Sequence, residues 1–148
     1  MTQASEICSP PPGFALHDRK SPLTEPWEPL YSRRTIDRVI LGLAAGTAHT
    51  NSRGFVHGGL ISALADNAMG LSCARALGHT GGLVTVNLTI DFLGAAQIGQ
   101  WLEFDTVFVK TGGTLCFAQA FVTADGKPCA RASGVFRVVG REAERKAS

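Results

Sequence analysis

The sequence predicts an α+β fold: an antiparallel sheet wrapped around one long central helix. Three observations carry this. Residues 58–77, "GGLISALADNAMGLSCARAL", are apolar nearly all round and too long for a strand, which fits a buried helix. After them come stretches rich in branched and aromatic residues at strand length, beginning with the alternating "VTVNLTIDF". Gly112-Gly113 and Asp125-Gly126 are hairpin signals between the later stretches. A helix that is apolar on most sides needs a sheet that curls around it.

In chain order, residues 1–34 hold six of the seven prolines and little periodicity. They read as an extension that lies over the domain, with Trp27 and Tyr31 as apolar anchors. "TIDRVILGLAAGTAHT" is rich in branched residues and predicts a first strand or hairpin around 35–49. The helix follows over 58–77. In 84–92, strict alternation sends Val84, Val86, Leu88, Ile90 and Phe92 to one face and Thr85, Asn87, Thr89 and Asp91 to the other. Further strands are expected at 101–109, 114–123 and 129–139, and "REAERKAS" at 141–148 reads as a charged tail. The division is therefore an extension at 1–34, a domain at 35–140 and a tail at 141–148.

Composition narrows the function. The 148 residues suit one domain, and a net charge of +2 argues against a nucleic-acid binder driven by charge. The first residues lack a basic start and a long apolar run, so no signal peptide is expected. Asp66, Asn67 and glycines interrupt the longest apolar stretch, which makes it a poor membrane span. Cys8, Cys73, Cys116 and Cys129 are far apart and form no C-x-x-C pair, so neither a zinc site nor a redox dithiol is expected. Free thiols in a reducing cytosol are the expectation, with no metal or cofactor.

The chemistry concentrates around "NSRGFVHGGLISALADNAMG". The amides at a helix start lack internal partners and sit at the positive end of the dipole. Gly58 and Gly59 let another group approach that backbone, which suits an oxyanion. Asp66 lies in the middle of the oily helix, where a carboxylate is costly unless paired or solvated. It is a candidate base or nucleophile. Each residue also has a plain structural alternative. The glycines permit a tight turn, Asp66 is a satisfied core aspartate, Asn51 is a turn residue or cap, and His57 is a loop histidine.

Spacing constrains the active reading. Gly58 and Asp66 are eight residues apart, about 12 Å at the helical rise of about 1.5 Å per residue. One reacting carbonyl cannot touch both on the same helix, so cooperation requires Asp66 from a second subunit. Gly59, Ser62, Asp66, Gly70 and Cys73 form a stripe of small or polar residues suited to two antiparallel helices packed across a two-fold axis.

The pattern N-x5-H-G-G-x6-D, here Asn51, His57-Gly58-Gly59 and Asp66, resembles the hotdog-fold acyl-CoA thioesterases of the phenylacetate-degradation (PaaI-like) group. "VTVNLTIDFLGAA" matches in character and position, and the resemblance covers about residues 35–140. It implies a hotdog fold and hydrolysis of an acyl-CoA. Gly58 would donate its amide to the thioester oxygen, and His57 and Asn51 would orient the thioester or the water. Asp66 of the partner subunit would be base or nucleophile, and Thr85 would help position the water. Gly59 and the surface residues Arg53, Lys110 and Arg131 are the candidates for substrate contact. A homodimer or homotetramer is implied, and the extension is expected to pack over the acyl end of the cleft. Two other readings compete: another hotdog enzyme such as an acyl-thioester dehydratase or hydratase, and a non-catalytic acyl-CoA-binding module.

Overall fold

The computed structural model describes residues 8–78 and 82–140. The tail expected at 141–148 lies outside them. The strands are β1 (Ala15–Leu16), β2 (Tyr31–Arg34), β3 (Val39–Ala44), β4 (Leu83–Phe92), β5 (Trp101–Thr111), β6 (Leu115–Ala124) and β7 (Lys127–Val138), and the helix is α1 (Gly58–Leu77). They form one antiparallel sheet in the order β1-β2-β3-β5-β6-β7-β4. Short 3-10 turns cover Glu25–Trp27 and Thr47–His49. The helix packs against the sheet, as expected, and no helix among the described residues is long and apolar enough to cross a membrane.

The ends of α1 are written in its sequence. His57 caps the start: its Nδ1 accepts the Gly59 N–H at 2.8 Å. Gly78 ends it in the left-handed region at φ 65°, donating its N–H to the Ala74 carbonyl. Leu64, Ala65, Ala68, Met69 and Cys73 are sealed from solvent against Phe104, Cys116, Val122 and Phe136 of the sheet. Burying each large side chain contributes about 1.5–3 kcal/mol. Gly134 makes room for the Phe136 ring under α1, because a methyl there would lie 2.7 Å from Phe136 Cε2 and 3.1 Å from Met69 Cε.

Two sequence expectations change. The sheet begins inside the segment read as an extension: β2 pairs with β3 from Tyr31↔Gly42 to Arg34↔Val39, so the hairpin runs over 31–44 rather than 35–49. Thr35 sets its turn, accepting the Arg38 N–H on Oγ1. The second change is in β4. The register passes from Thr85↔Phe136 to Asn87↔Val135, a bulge at Val86 that resets the alternation. Thr85 therefore lies opposite buried Phe136 on the helix side, together with Leu88, Ile90 and Phe92, while Val84 and Val86 are exposed.

The stripe on α1 divides as well. Ser62, Asp66 and Gly70 lie along its partly open side, but Cys73 is fully buried in the core.

Candidate active site

The site is built on the start of α1, the loop before it and the first residues of β4. Asn51 organises the loop. Its Oδ1 accepts the backbone N–H groups of Arg53 at 2.9 Å and Phe55 at 3.2 Å, and its own N–H donates to the Phe55 carbonyl. That is the turn role, and it leaves the Asn51 side-chain NH2 as the part available to a ligand.

His49, which the sequence reading passed over, locks this loop from behind. Its Nδ1 accepts the Gly46 N–H at 2.9 Å, so the ring proton is on Nε2, which donates to the Trp27 carbonyl at 2.9 Å. The His49 carbonyl in turn receives the His57 N–H. A buried histidine thus ties the Pro-rich segment to the residue that begins the site.

The same logic fixes the His57 tautomer. With Nδ1 accepting from Gly59, the proton sits on Nε2, and the exposed ring offers a donor to solvent or ligand. The Gly59 amide is used in this cap, which removes it as a free donor. The Gly58 N–H has no partner among the described residues. Phe92 lies over this point: a methyl at Gly58 would be 3.0 Å from its Cζ. The group for which the glycine makes room is therefore, in this chain, an aromatic ring.

Asp66 lies on the open side of α1, half-buried, and Thr85 donates its hydroxyl to Asp66 Oδ1 at 2.7 Å. Both line a cavity of about 730 Å³ that also touches Asn67, Gly70, Leu71 and Ala74. Asp66 is thus not in a dry core. Oδ1 is anchored, and Oδ2 makes no hydrogen bond among the described residues. A carboxylate with one oxygen anchored and the other without a hydrogen bond, on a residue that lines this cavity, can take a proton from a water held there.

The remaining candidates lie elsewhere. Arg53 is exposed on the loop, with its guanidinium 5.9 Å from the Phe55 ring. Lys110 and Arg131 are exposed on the sheet face away from α1, where Arg131 is bound to Asp91 at 2.8 Å. The structure does not bring these three to Asp66. Within one chain it does not bring Gly58 to Asp66 either, since both lie on α1 as residues 58 and 66.

The thioesterase superfamily matches residues 53–130 of the chain, which span the helix, Asp66 and Thr85. A Pseudomonas aeruginosa protein named as an esterase is 37% identical over 129 residues, covering 86% of this chain and 96% of that one. Human acyl-coenzyme A thioesterase 13 is 34% identical over 94 residues, 61% of this chain and 65% of that one. A mutant of the phenylacetic acid degradation protein PaaI from Thermus thermophilus superposes with a TM-score of 0.71 at 22% identity, covering 80% of this chain and 100% of the other. The chain belongs to the thioesterase superfamily and has its hotdog fold. It is a thioester hydrolase.

Proposed function

We propose that the protein hydrolyses an acyl-CoA thioester to the free acid and CoA, using two copies of the chain to build each site. The observation that carries the chemistry is Asp66: one oxygen anchored by Thr85, the other open to a cavity. The Gly58 amide donates to the thioester oxygen as negative charge develops on it, and the His57 Nε2–H and the Asn51 side-chain amide orient the thioester. Asp66 takes a proton from water as the water oxygen bonds to the carbonyl carbon. The tetrahedral intermediate then collapses, the C–S bond breaks, and the departing thiolate takes up a proton. No metal is called on.

The separation of Gly58 and Asp66 on one helix, about 12 Å, supports a shared site. So does β4. It is an edge of the sheet, ten residues long, with Val84 and Val86 exposed. An unpaired apolar edge of this length favours antiparallel addition of a second copy. Such a dimer, paired again into a tetramer, is the assembly we propose, acting in the cytoplasm with free thiols.

The test is CoA release from a panel of acyl-CoAs, followed with a thiol reagent, together with the mass of the active species. Turnover by a dimer or tetramer supports the reading. Binding without release of CoA, or full activity in a monomer, contradicts it.

A further inference from the structure

The edge strand β4 has two sides. One is laced to β7: the Leu93 N–H donates to the Cys129 carbonyl at 2.9 Å, and the ladder runs on through Asp91↔Arg131, Thr89↔Ser133 and Asn87↔Val135. Alternate residues of an antiparallel ladder turn their N–H and C=O to opposite neighbours. Asp91, Thr89 and Asn87 therefore bond to β7. Phe92, Ile90, Leu88 and, across the bulge, Thr85 turn theirs to the open edge. The same four lie on the helix side of the sheet, where Leu88 and Ile90 pack on the core.

Two of the four mark the two halves of the site. Thr85 holds Asp66 at 2.7 Å, and the Phe92 ring lies against Gly58. A shared site needs Asp66 of one chain at Gly58 of the other, so Thr85 must stand opposite Phe92 of the partner subunit. Directly opposed residues share a face of the sheet. In a regular strand, residues seven apart such as Thr85 and Phe92 point to opposite faces and could not meet in this way. The bulge at Val86 takes up one residue and puts both on the same face.

Two-fold symmetry completes the register. Leu88 falls opposite Ile90 of the partner subunit, Asn87 opposite Asp91 of the partner subunit, and Thr89 on the axis opposite the partner's Thr89. These neighbours suit each other. Leu88 and Ile90 are both apolar. Asn87 accepts the Thr89 hydroxyl on Oδ1 at 3.2 Å, which leaves its NH2 for an acceptor, and Asp91 binds Arg131 through Oδ2, which leaves its Oδ1. Moving the axis to Leu88 or Ile90 keeps the faces but carries Thr85 two residues, about 7 Å, from Phe92 of the partner subunit.

We infer that β4 pairs with the β4 of a second copy about a two-fold axis at Thr89, so that the Thr85–Asp66 pair of each chain meets the Phe92–Gly58 contact of the other. The need for a second copy rests on the shared-site thioesterase reading; the register and the place of Phe92 at the partner's Asp66 go beyond it.

The experiment is disulfide cross-linking of the full chain with Cys8→Ser, since Cys73, Cys116 and Cys129 are buried. Asn87, Thr89 and Asp91 are exposed. Opposed residues at a position without hydrogen bonds lie about 4.5 Å apart between Cα atoms, within reach of a disulfide. After mild oxidation with diamide, Thr89→Cys should run as a covalent dimer on a non-reducing gel. Asn87→Cys and Asp91→Cys should each stay unlinked, because each lies four residues, about 14 Å along the strand, from its own counterpart. The double variant Asn87→Cys/Asp91→Cys should link. The linked Thr89→Cys dimer should still release CoA from an acyl-CoA. A chain that is dimeric by mass but does not link at Thr89, or links through Asn87→Cys alone, would overturn the register, and so would a monomer. Loss of turnover on linking, restored by reduction, would show that this register does not build the site. A wild-type chain that turns over no acyl-CoA would sink the thioesterase reading by itself, and the cross-links would still decide the register.

Discussion

The Thr85 hydroxyl donates a 2.7 Å hydrogen bond to Asp66 Oδ1, joining β4 to the middle of α1. The β-bulge at Val86 makes the contact possible by turning Thr85 onto the helix side of the sheet. A carboxylate on a helix side chain otherwise has several rotamers, and this bond selects one. It leaves the second oxygen for water, so the helix supplies the charge and the strand aims it.

Removing that bond should slow the reaction without abolishing it. Thr85→Val keeps the branched shape and loses the donor. The expected result is a kcat lower by about tenfold, in line with the modest net worth of one hydrogen bond, with little change in KM. Thr85→Ser should restore most of the rate. A Thr85→Val enzyme with normal kcat would show that the contact does not aim Asp66.

Gly58 is tested by the space around it. A methyl at this position meets Phe92 Cζ at 3.0 Å, and Phe92 is half-exposed and able to yield. Gly58→Ala should therefore cost about 1–3 kcal/mol of stability at most, typical of overpacking, while kcat falls through displacement of the ring and the amide. Pairing it with Phe92→Leu should recover the melting temperature. If the single variant already melts normally, the ring does not press on the helix start.

His17 gives a pH prediction. Burial lowers its pKa from the ordinary histidine value of 6.5. The unfolded chain then binds the proton more readily than the folded one, so this residue's contribution is intact above about 6.5 and is lost as pH falls below it. The melting temperature should drop as pH falls from about 7 to about 5, and less steeply in His17→Phe. Equal slopes in the two proteins would remove His17 from the pH response.

Much of this was legible in the chain. The helix at 58–77 could be placed because its length, composition and terminal glycines all agree with one element. Asp66, His57 and Gly58 stood out as residues whose types conflict with, or punctuate, an apolar pattern. The Val86 bulge was hidden because its sequence is a faultless alternation. Only the ladder with β7 shows that Thr85 pairs with Phe136 and Asn87 with Val135. The role of residues 1–34 was hidden for a different reason: prolines conceal pairing, and β2 reaches the sheet through Tyr31–Arg34. Tyr31, expected as an apolar anchor of this segment, lies 5.7 Å from Trp101, which covers Gly42. Leu30 is 3% exposed and Trp27 packs on the core, so this part of the segment belongs to the body of the domain. His17 carried no motif at all; only its burial beside a cavity marks it.

The central claim is that the Asp66 carboxylate acts on the reaction. Asp66→Asn keeps the volume and an oxygen for Thr85 but removes the negative charge. The decisive measurement is kcat for this variant, taken beside its melting temperature and molecular mass. The account predicts a kcat lower by about 10²–10⁴-fold, the usual cost of losing a general base, with fold, assembly and KM largely retained. A folded, correctly assembled Asp66→Asn enzyme with near-normal kcat would contradict it and assign the carboxylate to the architecture.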